Sequence, residues 1–171
     1  MKSPAARPAL SVRSGSEVQL PGTALVGLMR AVLARGLPFR FRARGWSMSP
    51  FIRDRDVITI VPVDSTSLKI GDIVAFAGPD GQRLVVHRVV GRRGTDLRIQ
   101  GDSAARAADD LVPESSVLGR VKRVERNGQQ VWFGLGTERL VVAFLSRKRV
   151  LSLLVMKVRA LVRRLGRGKA K

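Results

Sequence analysis

The chain has no cysteine among its 171 residues. A disulfide framework and a thiolate metal site are therefore excluded. A single histidine counts against an imidazole-based zinc centre, so the sequence calls for no metal and no cofactor. Tyrosine is absent, and aromatics make up only 5% of residues without clustering. That is a poor basis for stacking nucleobases and argues against a nucleic-acid partner. No apolar run approaches the roughly 18 residues of a membrane-spanning helix. The longest candidates, Leu140–Ser146 and Val150–Met156, are split by Arg147-Lys148-Arg149. Residues 1–15, polar with Pro4 and Pro8, lack the apolar centre of a secretory signal and read as a disordered tail. The expected location is thus the membrane periphery or the cytoplasm.

Acidic residues are also scarce. Thirteen Asp and Glu stand against 32 Lys and Arg, a net charge of +19. Such a field attracts polyanions, whether nucleic acid or an anionic membrane. Its distribution is uneven, with 11 basic residues and no acidic one from Arg139 to Lys171. Within that stretch Leu151, Leu154, Val158, Leu161 and Leu165 alternate steps of three and four, with Lys157, Arg159, Arg163 and Arg164 mostly opposite. This predicts a basic amphipathic helix over Val150–Arg164, suited to an anionic membrane surface or to packing with a solvated basic face.

The remainder is organised by turns. Gly22–Gly36 reads as a short helix, with Leu25, Leu28, Met29, Val32 and Leu33 on one face and Gly36 as the stop. From Phe39 to Phe133 the segments are short and rich in Val and Ile. Strands are expected at Phe39–Ala43, Val57–Val61, Ile73–Phe76, Leu84–Val90, Leu97–Gln100, Val117–Val124 and Gln130–Phe133. Asp80-Gly81 and Asn127-Gly128 are the clearest hairpin turns. The expected fold is mainly β: a barrel or sheet core with a short N-terminal helix and a basic amphipathic C-terminal helix. In domain terms it is a tail (1–15), a β domain with its helix (16–136), and a basic helix and tail (137–171).

Three fragments carry candidate chemistry. Ser47 lies in Gly45-Trp46-Ser47-Met48-Ser49-Pro50, a turn that can point a hydroxyl into a groove. By itself it reads as a turn serine bonded to its own backbone. His87, in Val85-Val86-His87-Arg88-Val89-Val90, is the one imidazole that could serve a serine as base. By itself it reads as a half-buried strand histidine, with Arg88 covering a sheet face. The loop Gly101–Asp110 offers Asp102, Asp109 and Asp110 as carboxylates that could orient that base, or as turn and solvation residues.

Together the fragments resemble the signal peptidase I superfamily over about Gly45–Val124. Ser47-Met48-Ser49-Pro50 is similar to its nucleophile box, and Gly71-Asp72-Ile73-Val74-Ala75-Phe76 to the strand box that follows. Val86-His87-Arg88-Val89-Val90 is similar to the box of the endoplasmic-reticulum and archaeal type, where His replaces Lys. Gly101-Asp102 through Asp109, then Val117-Leu118-Gly119-Arg120-Val121, resembles the last box. The resemblance implies a serine endopeptidase acting on a peptide or preprotein after small residues, with Ser47 as nucleophile and His87 as general base. It favours Asp109 as the orienting carboxylate, with Asp110 close behind. Pro50, Asp72, Gly101 and Asp102 would be structural, and Gly45, Trp46, Met48, Val85 and Val86 would line the substrate groove.

The chain departs from that pattern in three ways. Gly45 stands where many members have a serine that helps the oxyanion hole. No N-terminal span and no large additional domain are expected from these residues. Two other readings compete. One is a related self-cleaving repressor type, against which the His in place of Lys and the lack of a preceding DNA-binding helix pair both argue. The other is a non-catalytic basic β-domain that binds an anionic membrane or nucleic acid.

Overall fold

The computed structural model describes residues 20–103, 110–132, 136 and 138–147. The tail at 1–15, the amphipathic helix read over Val150–Arg164 and the candidate Asp109 all lie outside them.

Among the described residues the fold is mainly β. Eight strands form one antiparallel sheet that curls into a half-barrel. They are β1 (Phe39–Arg42), β2 (Val57–Val61), β3 (Ile73–Ala77), β4 (Leu84–Arg93), β5 (Asp96–Gln100), β6 (Asp110–Pro113), β7 (Val117–Arg126) and β8 (Gln129–Gln130). The order across the sheet is β1-β2-β7-β3-β4-β5-β6, with β8 paired to β7. Strand β7 therefore sits between β2 and β3, joining the first hairpin to the second.

The residues explain why this sheet is buried on both sides. In β3, Ile-Val-Ala-Phe-Ala, successive side chains point to opposite faces, yet its first four are all buried. Ile73 and Ala75 join a core with Ile58, Ile60, Val121 and Val124. Val74 and Phe76 join a second core with Val89, Leu97 and Ile99. A strand covered on both faces reads as a continuous apolar run, not as an alternation.

Helix α1 (Gly22–Leu33) caps the first core. Its buried residues are Val26, Met29 and Leu33, whereas Leu28 is exposed. The face is centred about one residue from the expected stripe because α1 packs against β1, β4 and β7 at once. Gly36 ends the segment at φ +75°, a conformation that favours glycine. At the other end, Asn127 (φ +50°) and Gly128 (φ +77°) form the tight turn between β7 and β8, as the pair predicts. The loop expected to run through Asp110 ends one residue sooner, since Asp110 opens β6 by pairing with Ile99.

A second helix, α2 (Arg139–Arg147), packs Val142 against Phe51 and leaves Leu140, Val141 and Phe144 exposed. No described helix is long and apolar enough to cross a membrane.

Candidate active site

Ser47 lies in the chain that leaves β1. After Arg42 the backbone turns through Gly45, whose φ of +96° is the left-handed region that glycine tolerates best. The Gly45 N–H donates to Asp54 Oδ1 at 2.9 Å, which fixes the approach to the nucleophile turn. Beyond Ser47, Met48, Phe51 and Ile52 are buried, so the turn is anchored in the core by its own neighbours. The Ser49–Pro50 peptide is cis. A clamp holds the far end: Arg126 donates to both oxygens of buried Asp56 at 2.9 and 2.7 Å, and to the Phe51 carbonyl at 3.0 Å. Asp56 in turn accepts the Arg53 N–H at 2.8 Å.

His87 comes from β4, where it pairs with Val74. Its ring meets Phe76 edge-on, with centroids 6.2 Å apart. The loop after β5 brings the two residues together. The Ser103 N–H donates to the Ser47 carbonyl at 2.8 Å. A methyl group built on Gly101 would stand 2.7 Å from that same carbonyl oxygen and 3.3 Å from His87 Nε2. Gly101 is therefore wedged between the Ser47 backbone and the imidazole, whose Nε2 borders it. No hydrogen bond joins the Ser47 hydroxyl to the imidazole among the described residues. The other nitrogen, Nδ1, is buried and has no hydrogen-bond partner among them.

Burial lowers the imidazole's affinity for a proton below that of a free histidine. The carboxylates of Asp110 and, less strongly, Asp102 partly oppose that effect. Asp110 is half-buried at the start of β6, opposite Ile99, which itself pairs with Val89 two residues beyond His87. That register puts Asp110 on the sheet face that carries His87.

Asp102 has a different place. It receives a bidentate pair of bonds from Arg88 at 2.9 and 2.8 Å, with both side chains wholly buried. Arg88 also donates to the Gly71 carbonyl at 2.9 Å and lies over the Phe51 ring. Arg88 was expected to cover a sheet face; instead it is an internal tie between β4, the turn before β3 and the loop holding Gly101. A guanidinium there needs a carboxylate, because an unpaired buried charge is costly. Asp72 is also buried, accepting the Lys69 N–H at 2.9 Å and lying 3.5 Å from Arg120 of β7.

Ser47 and His87 line one cleft of about 580 Å³. Gly45, Met48, Val85 and Val86 line it too, as does Leu25 of α1. Trp46 does not; the residue is 64% exposed. Sequence reasoning missed Asp54, the Asp56–Arg126 clamp and the contribution of α1 to the cleft. The first had a signal available, since a carboxylate soon after a glycine turn often closes it. The other two depend on long-range contacts. No group of residues suited to holding a metal ion occurs among the described residues.

Ser47 and His87 thus share one cleft of a curled β sheet, with the Gly101-Asp102 loop packed behind them. The family model for signal peptidase, peptidase S26, matches residues 18–130, two thirds of the chain and all of these elements. The chain belongs to that family, and its type is that of a signal peptidase. A comparison with curated proteins returns no match.

Proposed function

We propose that the protein is a serine endopeptidase that cuts an extended peptide after a small residue, with Ser47 as nucleophile and His87 as base. The observation that carries this reading is the shared cleft. The hydroxyl-bearing turn and the chain's one imidazole converge on it, held by a loop with no room for a side chain at Gly101.

The cleft is built to receive a strand. In β4, residues 84–87 pair with β3 on one side only, because β5 starts its pairing at Arg88. Strand β1 likewise has a single neighbour, β2. A peptide laid between these two open edges would gain backbone hydrogen bonds, the usual way an extended substrate is held. His87 Nε2 takes the Ser47 proton as Oγ attacks the scissile carbonyl carbon. The tetrahedral oxyanion then falls to the N–H of Ser47, which no acceptor occupies among the described residues. The imidazolium returns its proton to the leaving amine, the C–N bond breaks, and a Ser47 ester remains. Water, deprotonated by His87, attacks that ester and releases the acid. With Gly45 where a serine hydroxyl could have helped, one oxyanion donor is missing, which can cost about 10²–10³ in rate. Asp109 and Asp110 are the candidate acceptors for the buried Nδ1.

The decisive assay offers an Ala-x-Ala peptide to purified wild type and to Ser47→Ala. Cleavage C-terminal to the second alanine, abolished by the substitution, is the expected result. Equal turnover by both proteins, or none by either, would end this reading.

A further inference from the structure

Three arginines, Arg42, Arg44 and Arg83, line the cleft, and no acidic residue does among the described residues. This is not simply the chain's surplus of positive charge appearing everywhere. Arg40, on the same outward face of β1, is paired with Glu125. Arg44 makes no ion pair or hydrogen bond among the described residues. Arg83 is paired with Asp80 at 3.2 Å, but both side chains are well exposed. Such a surface pair contributes little and exchanges readily for another carboxylate.

Their position along the cleft is specific. Strands β1 and β4 are separated by four antiparallel steps through β2, β7 and β3, so they run in the same direction. Arg44 precedes Ser47 by three residues and Arg83 precedes His87 by four. Both cations border the segments that carry Ser47 and His87, so they flank a peptide bound in the cleft.

Building on the endopeptidase reading above, we infer that the cleft selects acidic substrates: peptides with Asp or Glu flanking the cut. The arginines act as specificity determinants for the substrate's flank. The small residue at the cut is recognised separately, at the dyad.

The test is calorimetric binding of acetylated, amidated dodecapeptides to the full-length Ser47→Ala protein, so that binding is read without turnover. Each peptide has a central Ala-x-Ala. Two Glu are placed either upstream or downstream of the cut, and the reference peptide has Gln throughout. One of the two Glu peptides should bind roughly three- to tenfold more tightly than the reference, from one or two partly exposed ion pairs. The gain should shrink at high salt. In the same background, Arg44→Gln and Arg83→Gln should each reduce it. Arg93→Gln, an equal loss of charge at the far end of β4, should leave it intact. The inference is overturned if neither Glu peptide outbinds the Gln peptide, or if Arg93→Gln erases the gain as fully as Arg44→Gln. Wild-type cleavage of the Gln peptide separates the two claims. If that peptide is cut and Glu brings no gain, the acidic preference falls and the peptidase reading stands. If Glu improves binding and no peptide is cut, the reverse holds.

Discussion

Three glycines of this sheet look alike in sequence and should behave very differently when a methyl is added. At Gly101 the new carbon would lie 2.7 Å from the Ser47 carbonyl oxygen and 3.3 Å from His87 Nε2. At Gly119, in β7, it would lie 2.6 Å from the Val61 carbonyl oxygen and 2.7 Å from Ile60 Cγ2. At Gly91, in β4, its nearest neighbours would be Arg98 side-chain atoms at 3.7 and 3.9 Å, an ordinary contact. The first two cannot be met without moving backbone. Such overpacking typically costs about 1–3 kcal/mol, and in a chain of this size each kcal/mol lowers Tm by roughly 2–4 °C. Gly101→Ala and Gly119→Ala should thus both melt several degrees early, and Gly91→Ala should not. Activity separates the first two. Gly101→Ala drives apart the groups that must react, and a displacement of about 1 Å can cost on the order of 10² in rate. Gly119→Ala strains a pairing with Ile60 and Val61, which do not line the cleft, so its folded fraction should turn over peptide like wild type. The assay is thermal melting with kcat/KM on an Ala-x-Ala peptide at a temperature where all three variants are folded. A Gly101→Ala protein with wild-type Tm and wild-type kcat/KM would show that Gly101 does not separate Ser47 from His87 as described.

Other expectations follow from the site's electrostatics. Because burial lowers the His87 pKa, activity should rise with pH at a midpoint below the ~6.5 of a free imidazole and be level by neutrality. Asp110→Asn removes a charge that holds the proton on, so it should move that midpoint lower still; a rise persisting above pH ~9 would implicate another base. The same burial makes the unfolded chain bind a proton that the folded one refuses, so the His87 contribution lowers stability as pH falls from about 6.5 toward the folded pKa. Asp102→Asn leaves Arg88 buried without its countercharge, and about 3–5 kcal/mol of stability should be lost, read as an earlier urea midpoint; an unchanged midpoint would refute the tie. We also propose that the basic segment 150–171, with its apolar repeat at Leu151, Leu154, Val158, Leu161 and Leu165, holds the protein to anionic lipid. Binding to phosphatidylserine vesicles should weaken with salt and be lost on deleting residues 150–171, and co-sedimentation unaffected by either would dismiss it.

How far the sequence could be read depended on whether a feature was local. Val57–Val61 needed only its own β-branched residues and forms with those bounds. The turns at Gly36 and Asn127-Gly128 were legible because they require a positive φ. Strand β6 was not: Asp110-Leu-Val-Pro has two apolar residues between an acid and a proline, and it is a strand only because β5 offers an edge. The Arg88–Asp102 tie was half visible, as an aspartate that holds its loop. Nothing near Arg88 in the chain indicated that its side chain turns inward to meet it. The Asp56–Arg126 clamp spans 70 positions and leaves no periodic trace. The order of short boxes singles out Ser47 and His87 as candidates, whereas the bare Gly101 that lies between the Ser47 carbonyl and the imidazole carries no signal of that packing.

The place of β7 in the sheet also bears on how the chain is made. Ser47 follows the strand that pairs with β2, and His87 lies on the strand that pairs with β3. The only described strand that joins those two hairpins is β7, ending at Arg126. A ribosome releases the nucleophile and the base long before it releases their connector. While the chain is being synthesised, from the N-terminus onward, Ser47 and His87 belong to separate hairpins that the sheet does not yet join. The two segments that line the cleft therefore take their final places only once the last of these strands has paired.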